Sequence, residues 1–162
     1  MGTDFEEIYE LAMVDIDDYK LNLLAKVDRI AFLSRLASFL IRGIDEFDGC
    51  FKDLTYHTEE FTEDGLTREK YFFDTVLDSK EKSILAHIMT LVWFRTKIND
   101  VTAFSPHLSN KNFKQLQESQ SLKQKSEYYD KLYERIGKEI TEYQFKRINK
   151  IGFFGGNKNN NN

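Results

Sequence analysis

Three histidines, one cysteine and a run of aspartates are the residues with which this chain could do chemistry, and their spacing argues against it. His57, His87 and His107 fall in three separate segments, and no His-x-x-x-His or Glu-x-x-His step gathers them around a metal ion. His87 lies inside the apolar run Ile84–Trp93, where a packed or hydrogen-bonded imidazole is the expected role. Asp15, Asp17 and Asp18 imitate the start of a calcium loop, but the glycine and the distal bidentate glutamate that such a loop requires are missing. An exposed turn is expected there. Cys50 has no neighbouring motif that would activate a thiolate, so a buried small residue is expected. Gly152-Phe153-Phe154-Gly155-Gly156 lacks the lysine and serine or threonine of a phosphate-binding loop, and nothing resembles a nucleophile elbow. No catalytic, cofactor or metal site is expected, and the chain is not expected to be an enzyme.

Charge is distributed unevenly. Residues 1–110 carry 12 basic and 21 acidic side chains, whereas residues 111–162 carry 11 basic and 6 acidic. The overall −4 therefore conceals −9 followed by +5. A dipolar chain of this kind suits head-to-tail packing or a basic surface facing an acidic partner, with two solvated faces of opposite sign as the plain alternative. The basic residues Lys123, Lys131, Lys138, Lys146 and Arg147 are interleaved with Tyr128, Tyr129 and Tyr143. Acids interrupt the run and no helix-turn-helix signature appears, so loose electrostatic contact with DNA is expected rather than sequence-specific binding.

The elements that must position these residues are mostly helical. One proline in 162 residues favours long helices over a many-turned β fold, and the length suits one domain with a real core. A lone cysteine suits a reducing compartment. Met1–Glu10 is acidic and unlike a signal peptide, and Ile30–Ile44 is interrupted by Arg35 and Arg42, so no membrane span and a cytosolic protein are expected. Thr3 with Glu6 has capping-box spacing, predicting a helix from about Asp4 to Met13 with Phe5, Ile8, Tyr9 and Ala12 on one face. Members of the Asp15–Asp18 turn would cap a second helix over Val27–Phe47, with a start as early as Tyr19.

Between Asp48 and Leu77 the character changes. β-forming residues flank Glu63-Asp64-Gly65, a hairpin signal, although the alternation is imperfect and an irregular loop competes with it. Asp78 with Glu81 predicts the start of an apolar third helix, and Pro106 a break after it. A fourth helix is expected from Ser119 or Ser121 to about Arg147, with Leu122, Tyr129, Tyr133, Ile136, Ile140 and Tyr143 as its stripe. The expected architecture is mainly α: a helical bundle with two long helices and a small β-hairpin insertion. It comprises a helical domain over 1–150 and a Gly/Asn-rich C-terminal tail over 151–162, disordered on composition.

Several stretches, taken in order, carry a resemblance. They are Asp18-Tyr19-Lys20-Leu21, Ser38 through Phe47 with Cys50 and Asp53-Leu54, then Ile84 through Met89 with Trp93. Asn112-Phe113-Lys114 and Ser119 with Leu122-Lys123-Gln124-Lys125 complete the series. Their order, over most of residues 5–148, resembles the short helical head-to-tail connector (adaptor) proteins of tailed-bacteriophage necks. Thr55–Asp74 is longer than that pattern calls for.

The resemblance implies a virion structural protein with no enzymatic activity, present in the host cytoplasm during assembly. It would form a homo-oligomeric ring, usually a dodecamer, beneath the portal protein, and offer a platform to the next neck-ring protein while DNA passes through the lumen. Carried over by position, it assigns a scaffold role to the third and fourth helices. Partner contacts are expected at Phe113 and Lys114, and at Phe153, Phe154 and Lys158 in a C-terminal arm. The competing class is a small cytosolic helical regulatory or partner-binding protein.

Overall fold

The structure, a computed structural model, describes residues 2–63, 65–104 and 112–153, with side chains 63, 66, 99–104, 112–122, 125 and 150–153 left aside. The first helix, α1 (Phe5–Ala12), buries the expected face of Phe5, Ile8, Tyr9 and Ala12. Its cap is displaced by one residue. Asp4 Oδ1 accepts from the Glu6 amide at 3.0 Å, because Thr3 is drawn into a two-residue strand, β1 (Thr3–Asp4). There the Thr3 hydroxyl accepts from the Leu77 amide at 2.7 Å instead.

Asp18 caps α2 (Tyr19–Val27) through a 2.9 Å bond from the Lys20 amide. The helix expected over Val27–Phe47 is α3 (Arg29–Gly43), which ends four residues early; the stretch back to Tyr19 is a separate helix, because the extended backbone of Asp28 closes α2 and opens α3. Asp28 Oδ1 accepts from the Ala31 amide at 2.9 Å, so the same residue ends one helix and caps the next. A single 3-10 turn, Ile44–Glu46, follows α3.

The hairpin forms. β2 (Tyr56–Glu63) pairs antiparallel with β3 (Leu66–Phe73), in register from Glu63 opposite Leu66 to Tyr56 opposite Phe73. Gly65 stands at φ +78° in the turn, a conformation that L side chains rarely adopt. Strand β1 adds to the other edge of β3, giving the order β1-β3-β2. The third strand is too short to leave a pattern in the sequence.

A reciprocal capping box starts α4 (Ser79–Phe104) as the spacing predicts. Asp78 Oδ1 accepts from the Lys80 and Glu81 amides, while Glu81 Oε2 accepts from the Asp78 amide at 2.7 Å. Ile84, Leu85, Ala86, Ile88, Met89, Leu91 and Val92 are all buried, so α4 is apolar nearly all round and forms the axis of the core. Helices α1, α3 and α5 pack on it. Helix α3 lies tight against α4 at Gly43, where an added Cβ would fall 2.6 Å from Ile88 Cγ2.

The last helix, α5 (Asn112–Phe153), has 42 residues and a length of about 63 Å. It starts before the expected Ser119–Ser121 and continues beyond Arg147, with no proline from Asn112 to Phe153 to stop it. Its inward face is Leu132, Ile136 and Tyr143, with Tyr129 and Ile140 half-buried. Tyr133, expected in the stripe, is 58% exposed and stacks on Tyr129; Leu132 takes the inward position beside it. Leu122 lies among the side chains left aside. Gly137 is exposed with open space around it, and its carbonyl accepts a second bond at 2.8 Å from the Thr141 hydroxyl. Gly152 and Phe153, placed by composition in a disordered tail, belong to α5; residues 154–162 lie outside the described residues. The protein is mainly helical with a small three-stranded antiparallel sheet. Among the described residues, no helix is long and apolar enough to cross a membrane.

Candidate assembly surfaces

Helices α4 and α5 run antiparallel, joined by a seam of polar contacts. Arg147 Nη2 donates to Asp78 Oδ2 at 3.1 Å, and the Tyr143 hydroxyl donates to Glu81 Oε1 at 2.7 Å. Further along, His87 Nδ1 donates to Glu139 Oε2 at 3.0 Å, and Arg95 Nη2 donates to the Tyr129 hydroxyl at 3.0 Å. Glu81 is the hub. Its side chain is fully buried, yet it also receives Lys52 Nζ at 2.8 Å and Arg147 Nη2 at 3.2 Å. One carboxylate thereby ties the loop after α3 to both long helices. Burial, and then the bond to Glu81, push the Tyr143 phenol well above its ordinary range. Burial also raises the Cys50 thiol, whose Sγ lies 3.9 Å from the Tyr143 oxygen. Cys50 is half-buried rather than buried as expected, and it packs against the Tyr143 ring hydroxyl.

The other sequence candidates are dispersed. His57 is on β2, paired with Asp74, and His87 is on α4 at the seam; His107 lies outside the described residues. Asp15 and Asp17 are exposed as expected, but Asp18 is buried. It accepts from Lys97 Nζ at 2.6 Å and from Trp93 Nε1 at 3.0 Å. Burial alone would raise this carboxyl; those two bonds and the Lys20 amide outweigh it and hold it below the usual aspartate range. Among the described residues, no three His, Cys, Asp or Glu side chains converge on a point that could hold a metal ion.

Phe113 and Lys114 occupy the first turn of α5, whereas Phe153 is its last residue. Some 40 residues of helix separate them, about 60 Å. Phe113 and Lys114 are therefore not brought together with Phe153 within one chain, and Phe154 and Lys158 lie outside the described residues.

Two other surfaces stand out, and both were missed in the sequence. Helix α2 packs mainly on α3, buries only Leu21, and turns Tyr19, Leu23 and Val27 outward at four-residue steps. They are 78%, 48% and 78% exposed. Five carboxylates and two lysines lie between Glu10 and Asp28, and Glu10 and Asp17 have no ion-pair partner among the described residues. The second surface is the C-terminal part of α5, where Phe145 and Ile148 are 61% and 57% exposed. From Tyr143 onward the sequence contains Lys146, Arg147, Lys150 and Lys158 and no carboxylate side chain. Beside α2, a groove between α1 and α3 is floored by Tyr9, Met13, Phe32 and Leu33. Burial there pushes the Tyr9 phenol far above its ordinary range, and its hydroxyl has no hydrogen-bond partner among the described residues.

These features hold the helices in a fixed arrangement and leave apolar helix faces exposed. Comparison with known protein families, with curated proteins and with solved structures finds no match to this chain.

Proposed function

We propose that this protein is a structural subunit of a tailed-phage neck, a head-to-tail connector that assembles into a ring beneath the portal and encloses the passing DNA. The observation that supports this reading most directly is α5. It is about 24 Å longer than α4, the helix on which it packs, and it leaves apolar residues exposed near its C-terminal end. A helix that outlasts its own bundle, clamped by a polar seam with the buried Glu81–Tyr143 bond in it, is a rigid element for contacts with other chains. The resemblance carried by the sequence from Asp18 to Lys125 names those chains: further copies, a portal ring, and the next neck ring. DNA contact in this reading is electrostatic, indifferent to sequence, and lost in moderate salt.

Native mass spectrometry of the full chain, with and without a portal ring, tests the proposal. The expected result is a multimeric species and a discrete ring-on-ring complex. A stable monomer indifferent to portal protein overturns it in favour of a regulatory partner-binding protein, a reading that the outward stripe of α2 also accommodates. Removal of Gly152–Asn162 separates out the arm: full portal binding without that segment refutes its role as the docking element.

A further inference from the structure

We propose that a cavity enclosed by α2, α3 and α4 binds a small organic phosphate monoester. The site is independent of the connector reading. The cavity has a volume of about 210 Å³, below the size of sites that take drug-sized ligands. Leu21 and Leu24 of α2 and Phe39 of α3 supply its apolar wall. Each of the three helices also contributes one cation: Lys20, Arg35 and Lys97. Asp18 is the one carboxylate among the described lining residues.

That carboxylate is already committed. Its Oδ1 accepts from the Lys20 amide at 2.9 Å, and its Oδ2 accepts from Lys97 Nζ at 2.6 Å and Trp93 Nε1 at 3.0 Å. The Asp18–Lys97 pair cancels, which leaves the Lys20 ammonium and the Arg35 guanidinium. Neither side chain has a carboxylate partner among the described residues. The Arg35 guanidinium carbon stands 5.1 Å from the centroid of the Phe39 ring, so contact with the cavity wall holds that charge at the cavity. Unmatched charges of one sign beside low-dielectric walls focus the field and draw in a counter-ion. Donor shape and charge select which one. A guanidinium is a planar fork of N–H donors that matches phosphate oxygens, and an ammonium adds a point charge beside it. A phosphate monoester carries about −1.5 to −2 at neutral pH, close to the charge left unmatched. The two leucines and Phe39 then cover the organic body of the ester.

Phenyl phosphate is the probe, titrated into the full chain by isothermal calorimetry at low ionic strength, with inorganic phosphate and phenol as its two halves. The expected result is saturable one-to-one binding of phenyl phosphate, weaker binding of inorganic phosphate, and none of phenol. Lys20→Gln with Arg35→Gln removes the two unmatched cations; both side chains are exposed, and circular dichroism verifies the fold. Lys131→Gln with Lys138→Gln removes the same charge from α5, where those lysines line a different cavity. Affinity for phenyl phosphate is expected to fall at least about tenfold in the first variant and to be unchanged in the second.

Wild-type protein that shows no saturable binding in the millimolar range overturns the proposal. So does an equal loss in the α5 variant, because net charge and not the cavity would then hold the anion. An unphosphorylated oligonucleotide that displaces phenyl phosphate at lower concentration than inorganic phosphate does overturns it too, since the cations would then serve a backbone diester. None of these outcomes alters ring formation or portal binding, which are measured separately.

Discussion

Glu81→Gln is the sharpest perturbation of the polar seam, because it preserves volume and changes only charge and donor pattern. One carboxylate oxygen accepts from the Tyr143 hydroxyl at 2.7 Å and Arg147 at 3.2 Å; the other accepts from the Asp78 amide at 2.7 Å and Lys52 at 2.8 Å. Both oxygens face two donors. In either orientation, a glutamine places its NH2 group against a pair of donors and loses acceptors the site requires. Charge-assisted bonds of this kind contribute roughly 1.5–3 kcal/mol each. The two cations discount that figure. Lys52 and Arg147 are 27% and 36% exposed, and each retains another acceptor, the Val76 carbonyl and Asp78 respectively. Their shares are closer to the values of surface pairs.

What remains is chiefly the Tyr143 bond and the amide at the helix cap, a net loss of about 2 kcal/mol. For a domain of this length that lowers the melting temperature by about 6 °C. Urea unfolding at fixed protein concentration, followed by far-UV circular dichroism, measures it. Tyr143→Phe alone should cost about 1.5 kcal/mol, and the double variant less than the sum, because the two changes remove a shared bond. A Glu81→Gln cost below about 0.5 kcal/mol, or strict additivity with Tyr143→Phe, would refute the assignment of Glu81 as the hub.

Gly43→Ala should destabilise by about 1–2 kcal/mol in the same assay, since the new methyl meets the fully buried Ile88 Cγ2 and the clash exceeds the gain in helix propensity. A stabilised variant would show that α3 and α4 are not in close contact there. Asp28→Ala removes the bond to the Ala31 amide and should cost about 1 kcal/mol, whereas Asp28→Ser should recover most of it; equal losses would rule out a capping role. Asp18 ionises more readily folded than unfolded, so the unfolded chain binds the extra proton as pH falls. Its contribution is complete above the ordinary aspartate range near pH 4 and is lost as pH drops through the depressed folded value; Asp18→Asn should flatten the stability–pH curve in that window, and an unchanged slope would count against the Lys97–Trp93 clasp.

The elements most readable from sequence were those whose signals are local. The Asp78/Glu81 box, the buried face of α1 and the glycine of the hairpin turn each require only a few neighbouring residues, and each is where the spacing put it. Whether the helix over Val27–Phe47 reaches back to Tyr19 was open in the sequence because Val27 and Ile30 continue the apolar pattern across Asp28; the cap bond shows that the helix restarts there. Thr3 illustrates the opposite failure, a valid local cap overridden by a strand partner 70 residues away. In α5 the adjacent Leu132 and Tyr133 both fit an apolar stripe, and only packing against α4 decides which turns inward. The outward ridges were illegible for the same reason: in α2, Leu21 and Leu23 look alike until one is covered.

The Gly137–Thr141 pair gives α5 a mechanical property that its length alone does not. Glycine lowers the rigidity of a helix at one point, and a threonine hydroxyl sharing the carbonyl one turn back weakens the ladder at that same point. The weak link sits between the Arg95–Tyr129 contact and the Glu81 knot, each fastened to α4. Gly137 and Thr141 both lie on the exposed side of the shaft, while Ile136 and the Glu139 contact with His87 hold the opposite side to α4, so a softened outer ladder lets the helix curve over the bundle without coming loose from it.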